Sequence, residues 1–189
     1  MYKVNPDITE ATTLPASFYR DKDYFYKATD LLLSSTWQFI GDENIFTDNA
    51  NAVPFVFYDK VLTEPLLLTK NSNSKIHCLS NVCTHRGNLL VEKPGKQNKL
   101  ICGYHGRRFG LDGSFEHMPE FEEAKDFPRK CDNLSRIATQ KWYQFLFVNL
   151  NPAFDFTSIA AALDERIGFL PISSKTSYAF PLSIAYFQR

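Results

Sequence analysis

Two short segments of this chain each combine one cysteine with one histidine. One residue separates Cys83 from His85, and two separate Cys102 from His105. Thiolate and imidazole are both metal ligands, and two of each are the donors that hold a [2Fe–2S] cluster in which histidine replaces cysteine on one iron. The spacing therefore predicts an iron–sulfur centre held by these four side chains, and with it one-electron chemistry.

Histidine ligation changes the charge of such a cluster. An oxidised cluster held by four thiolates carries about −2, whereas exchange of two thiolates for neutral imidazoles brings it to about 0. A neutral cluster accepts an electron more easily, and we expect the electron to settle on the histidine-bound iron. An imidazole that ligates through one nitrogen keeps an N–H on the other, which can bond to an outside group.

The residues around the ligands predict two tight loops. Gly87, Gly103 and Gly106 flank the ligands, and glycine lets the backbone approach a cluster closely. Residues 86–101 contain the turn signal Pro94-Gly95 and then a short strand at Lys99–Ile101. We expect two β-loops brought together by a hairpin-like excursion.

Two other interpretations of the four residues are open. They could be unrelated cysteines and histidines of a core, although both spacings would then coincide by chance. They could also bind one zinc ion, since two cysteines and two histidines suit tetrahedral zinc. Structural zinc sites usually pair like ligands in sequence, whereas each segment here is mixed.

Composition indicates a β-rich protein without affinity for nucleic acid. The chain has 189 residues, with 21 acidic and 21 basic side chains, 17 Phe and nine Tyr. Balanced charge predicts no attraction to nucleic acid or membranes, and aromatic residues favour strands. No apolar run has membrane-spanning length, no apolar leader follows Met1, and four cysteines make no disulfide framework. We therefore expect reduced thiols at Cys78 and Cys131 and a cytoplasmic location.

Periodicity predicts a mainly β fold: an antiparallel β domain with flanking N- and C-terminal helices, α+β overall. Helices are expected at 21–34 and 157–170. Turn residues bound several short apolar runs that predict strands, at 37–41, 54–58, 65–69, 75–79, 108–111, 142–150 and 177–187.

The ligand segments resemble a known family. Residues 83–87 and 102–106 are similar to the Rieske [2Fe–2S] domain of ring-hydroxylating oxygenase α subunits, the group that includes choline-monooxygenase-like and phenylpropionate-dioxygenase-like enzymes. Residues 14–19, 111–113 and 141–150 resemble it too. The resemblance implies an iron–sulfur-protein-type β domain and places Arg86, Tyr104 and Arg107 around the cluster, with no catalytic residue in this chain.

The chain differs at several positions from oxygenase-type and from respiratory Rieske proteins, and these differences affect the expected reduction potential of the cluster. Oxygenase members usually carry Pro near position 103 and Trp at 107, where this chain has Gly103 and Arg107. Respiratory members carry a disulfide between the loops, but Asn88 and Tyr104 occupy the matching positions. They also place hydroxyls near the sulfurs, where Arg107 and Phe109 stand. Fewer hydrogen bonds to sulfur predict a potential near about −150 mV, the low end of the Rieske range.

The resemblance also implies a larger protein. It predicts an N-terminal helical arm at 1–35, a Rieske domain at 36–152, and at 153–189 the first helix and strand of a truncated catalytic domain. That missing domain would hold mononuclear Fe(II) through two histidines and a carboxylate and hydroxylate an aromatic or small amine substrate. This chain has no such triad, so we expect it to be inactive alone.

The implied role is electron transfer. A reductase or ferredoxin would donate electrons, and the full-length protein would form a homotrimer in which a neighbouring subunit receives them. The alternative is a stand-alone Rieske ferredoxin, an electron carrier and not an enzyme. The zinc module is the third interpretation.

Overall fold

Antiparallel strands make up most of the structure. The computed structural model describes residues 2–172. Within them, a six-stranded sheet has the order β1-β9-β8-β4-β3-β2, and a smaller sheet has the order β5-β6-β7. The strands are β1 Gln38–Asp42, β2 Ala52–Phe57, β3 Glu64–Lys70, β4 Ile76–Ser80, β5 Leu100–Ile101, β6 Arg108–Phe109, β7 Phe115–His117, β8 Arg136–Trp142 and β9 Phe145–Asn149. The predicted mainly β, antiparallel fold class is confirmed.

Helices flank the sheets at both ends of the described chain. Helix α1 spans Lys22–Ala28 and continues as a π-helical turn at Thr29–Leu33. The Asp21 carboxylate accepts hydrogen bonds from the first turn, which explains why the helix begins there. Helix α2 spans Thr157–Ile167 and packs on Trp142 through its apolar face.

Strand β3 separates two apolar clusters. Leu67 packs on the side that contains Cys83 and Cys102, whereas Leu66 and Leu68 pack on the opposite side. Successive side chains of a strand point to opposite faces, so a strand buried on both faces needs consecutive apolar residues. The run of leucines in this strand therefore fixes the sheet that supports the ligand loops.

The prediction of one continuous strand over residues 142–150 is wrong at the start of this segment. It contains a turn: Trp142 ends β8, Phe145 begins β9, and the two residues pair across the hairpin. Tyr143 has a φ of 49°, a conformation that Gly or Asn usually supplies in a hairpin. The turn therefore gave no sequence signal, and β8 was missed, as was β7.

The predicted strand at 177–187 lies outside the described residues. Within residues 2–172, no helix combines the length and apolar character that crossing a membrane requires.

Candidate metal centre

The two ligand loops share one backbone pattern. In the first, the Cys83 N–H donates to the Asn88 carbonyl, and the Gly87 N–H donates to the Cys83 carbonyl. In the second, the Cys102 N–H donates to the Arg107 carbonyl, and the Gly106 N–H donates to the Cys102 carbonyl. The glycines have φ values of 73° and 72°, in the left-handed region that favours glycine. Both loops thus share the sequence pattern Cys-x3-Gly. This pattern is easily overlooked, because the spacing between cysteine and histidine differs between the two loops.

A buried asparagine anchors the first loop. The Asn81 side chain is 3% exposed; it accepts from the Val91 N–H at 3.0 Å and donates to the Val91 carbonyl at 2.7 Å. Asn81 follows β4 directly, so this pair of bonds closes the segment that carries Cys83 and His85. The sequence around Asn81 gives no signal for this anchoring role.

The two cysteine sulfurs are neighbours. Cys83 and Cys102 are each 2% exposed, and their thiols are hydrogen-bonded to each other. Burial raises the pKa of Cys83. Burial also acts to raise the pKa of Cys102, but N–H donors from Tyr104 and His105, the Cys83 thiol and the Asn88 side chain hold it below its ordinary value. These donors thus stabilise the ionised form of Cys102 against the effect of burial.

The two histidine rings are neighbours too. The ring centroids of His85 and His105 lie 4.7 Å apart. The Nδ1 atom of each ring is buried without a hydrogen-bond partner in the described chain. Buried nitrogen atoms almost always have partners, so each of these two can serve as the donor to a metal.

Each sequence segment contains one cysteine and one histidine, but the fold places the two cysteines next to each other and the two histidines next to each other. Sulfur lies beside sulfur and imidazole beside imidazole, which matches the two irons of a cluster with one cysteine-bound and one histidine-bound iron. Within residues 2–172, no three or more His, Cys, Asp or Glu side chains gather as ligands of a single metal ion. The donor set fits a [2Fe–2S] cluster.

A buried ion pair lies next to the loops. The guanidinium of Arg107 is 3% exposed, and its Nη2 lies 2.5 Å from Oδ1 of Asp132. The sequence did not predict this role of Asp132. The residue lies 25 positions after Arg107, and no local pattern indicates that the two side chains pair. Burial acts to raise the Asp132 pKa, but the Arg129 N–H and the Arg107 guanidinium hold it below its usual value.

The other residues predicted around the cluster take different positions. Tyr104 is 58% exposed and stacks on the His105 ring with centroids 3.8 Å apart. Arg86 is exposed, and its charge helps burial and His105 to lower the pKa of His85. Tyr104 therefore covers the His105 ring from the solvent side, whereas Arg86 acts on His85 through its charge.

The remaining cysteines lie apart from the site. Cys78 is buried in the cluster of apolar side chains on the opposite face of β3, and burial raises its pKa. Cys131 is exposed. All four cysteines lie within the described residues, where none of them forms a disulfide.

One protein family matches the part of the chain that carries both ligand loops. Residues 37–128 match the family described as "Rieske [2Fe-2S] domain". This part of the chain, just under half of it, is similar to a Rieske domain. Such a domain binds a [2Fe–2S] cluster, so the predicted cofactor is confirmed.

Relatives of the Rieske domain include monooxygenases. The chain is 28% identical over 144 residues to the carnitine monooxygenase oxygenase subunit of Escherichia coli strain K12, covering 76% of this chain and 37% of the relative. It is 24% identical over 157 residues to the chloroplastic choline monooxygenase of Beta vulgaris, covering 82% and 34%. The predicted resemblance to the oxygenase group is confirmed. The chain spans little more than a third of the length of these relatives.

Solved structures share the fold. The apo form of the quaternary ammonium Rieske monooxygenase CntA matches with a TM-score of 0.70 at 22% identity, over 82% of this chain and 46% of that one. Naphthalene 1,2-dioxygenase matches with a TM-score of 0.64 at 20% identity, over 76% and 33%. The Rieske fold found here is thus the one seen in Rieske oxygenases.

Proposed function

We propose that Cys83 and Cys102 hold one iron of the Rieske cluster and that His85 and His105 hold the other. The observation that carries this assignment is the pairing of the side chains, with thiol beside thiol and ring beside ring, each ring with an unpartnered buried Nδ1. Ligation through Nδ1 leaves an N–H at Nε2, which can donate a hydrogen bond to an acceptor outside the domain.

We further propose that the chain is the electron-entry part of a Rieske non-haem iron oxygenase. When bound, the cluster supplies one-electron storage. A reductase or ferredoxin donates the electron, and a mononuclear iron outside this chain receives it, within a homotrimer of the whole protein. The same proposal assigns residues 1–35 to an N-terminal helical arm, residues 36–152 to the Rieske domain and residues 153–189 to the beginning of a truncated catalytic domain. We also keep the proposal of a cytoplasmic location, which rests on the sequence.

For the whole protein, the substrate class is a proposal drawn from relatives. The names of the sequence relatives refer to carnitine and choline. These names favour the small amine over the aromatic member of the two substrate classes. A potential at the low end of the Rieske range belongs to the same proposal.

A stand-alone carrier is the second candidate. Against it, α1 and α2 add helices that electron transfer alone does not need. The coding sequence after Arg189 decides between the two: an open frame with a His-x4-His pair and a later Asp supports the oxygenase, and a stop codon supports the carrier.

The ligand assignment predicts the behaviour of a His105→Cys variant. The variant should keep a [2Fe–2S] cluster and show a lower potential, because the added thiolate brings one more negative charge to the cluster. A mediated redox titration of the iron-loaded 189-residue chain measures the change, and iron and acid-labile sulfide analysis confirms the cluster.

His117→Cys is the matched control, since His117 lies in β7 and is not among the four proposed ligands. It should leave the potential unchanged. An equal effect of the two substitutions, or an unchanged potential in His105→Cys, would contradict the assignment. An iron-grown preparation that contains zinc and no sulfide would refute the proposed function itself.

A further inference from the structure

Arg107 places a positive charge inside the domain, two residues after a proposed ligand. The side chain is 3% exposed and is enclosed by three aromatic rings, with guanidinium-to-centroid distances of 5.8 Å to Phe109, 5.0 Å to Phe115 and 5.5 Å to Phe127. Low exposure and aromatic walls exclude water, so the field of this charge is screened weakly.

Asp132 connects this charge to both ligand loops. Its carboxylate Oδ1 accepts from Arg107 in the second loop at 2.5 Å, and its backbone carbonyl accepts from the Thr84 hydroxyl in the first loop at 2.8 Å. Its Oδ2 accepts from the Arg129 N–H at 2.7 Å. Asp132 is therefore held by both ligand loops and by the 3-10 turn of which it is part.

Arg107 and Asp132 contact both ligand loops directly. The backbone carbonyl of Arg107 accepts from the Cys102 N–H at 2.8 Å, and Thr84, which donates to Asp132, lies between Cys83 and His85. A positive charge stabilises whichever state of a neighbouring group is more negative. Reduction by one electron turns one ferric ion ferrous and makes the cluster site more negative by one unit.

We propose that Arg107 and Asp132 set the reduction potential of the cluster with opposite signs, Arg107 raising it and Asp132 lowering it. The inference rests on the ligand assignment made under the proposed function. The balance of the two charges then adjusts the reduction potential of the cluster within the low-potential range. Neither residue is a proposed ligand, and both act on the cluster through their charges.

The test is a mediated redox titration of the iron-loaded chain and its variants, in which the mediator supplies the electron. Arg107→Gln should favour the oxidised cluster about tenfold, which is about 59 mV downward for one electron. Asp132→Asn should favour the reduced cluster by a similar factor, because Asn retains an acceptor for Arg107 but loses the negative charge. The double variant should lie between the two.

Arg136→Gln is the matched control, since the Arg136–Asp112 pair has a similar separation of 2.6 Å but is exposed, at 58% and 39%. It should leave the potential near that of the unchanged chain. Arg107→Lys should restore most of the potential lost in Arg107→Gln, because lysine keeps the positive charge.

Shifts of the same sign in Arg107→Gln and Asp132→Asn, or shifts no larger than that of Arg136→Gln, would overturn the inference. If Arg107→Gln does not fold, the upward shift in Asp132→Asn still decides it. Iron and sulfide analysis of the unchanged chain distinguishes failure of the proposed function from failure of this inference. If the chain holds no cluster, the proposed function is wrong. If it holds a cluster but the two variants do not shift the potential in opposite directions, only this inference is wrong.

Discussion

Alanine in place of Cys102 should remove the [2Fe–2S] cluster from this protein. The Cys102 sulfur receives N–H donors from two backbone groups and one side chain, so the loop is built to stabilise a thiolate that alanine cannot supply. Changes in groups outside the ligand shell already cost about 10–100-fold in metal affinity, so loss of a ligand should lower bound iron and sulfide by more than about tenfold.

The other cysteines provide matched controls for this result. Cys131→Ala removes an exposed thiol and should leave the iron and sulfide content of the purified chain unchanged. Cys78→Ala removes a buried thiol on the opposite face of β3; it should lower thermal stability while the visible iron–sulfur absorption remains. Retention of the cluster by Cys102→Ala, or equal loss in Cys131→Ala, would contradict the assignment.

The four proposed ligands could be selected from the sequence because metal chemistry depends on residue type and short spacing. Cys83, His85, Cys102 and His105 each lie on a loop of a few residues, and the loops themselves bring the donors together. The Cys-x3-Gly pattern was also present in the sequence and could have predicted both loop conformations, since both glycines have positive φ.

The support of the site was not predictable in the same way. Asp132 lies 25 residues from Arg107 and 48 from Thr84 along the chain, so only the folded sheets bring the three together. An acidic residue among exposed polar neighbours gives no signal that it will be buried. Long-range pairing of this kind depends on tertiary structure, as does the hairpin at Tyr143.

Asn88 connects the two ligand loops by a hydrogen bond, at a position where another Rieske class has a disulfide. In the sequence, Asn88 stands at the position that matches a disulfide cysteine of respiratory Rieske proteins. In the structure its side chain donates to the Cys102 sulfur, so it joins the first loop to the second without a covalent bond. Hydrogen bonds to sulfur are thus supplied partly by the backbone and an amide, in place of hydroxyls.

Phe109→Ala should produce the largest loss of stability among single substitutions near the site. Phe109 is fully buried and packs in the same apolar cluster as both proposed cysteine ligands. Its ring also lies against Phe115, with centroids 6.4 Å apart. Removal of a buried phenylalanine side chain costs about 3–5 kcal/mol, because the cavity that remains collapses only partly. For a chain of this size, that corresponds to a fall of about 6–20 °C in apparent Tm.

Thermal unfolding of the iron-loaded variants at one fixed scan rate measures the effect, since loss of the cluster makes unfolding irreversible. Phe169→Ala is the control: Phe169 is 80% exposed, and its removal should change stability by no more than about 0.5 kcal/mol. Phe109→Leu should lie between them, because leucine fills most of the space. A Phe109→Ala variant as stable as Phe169→Ala would mean that the ligand loops do not depend on the apolar cluster beneath them, and that the sheet does not position the site.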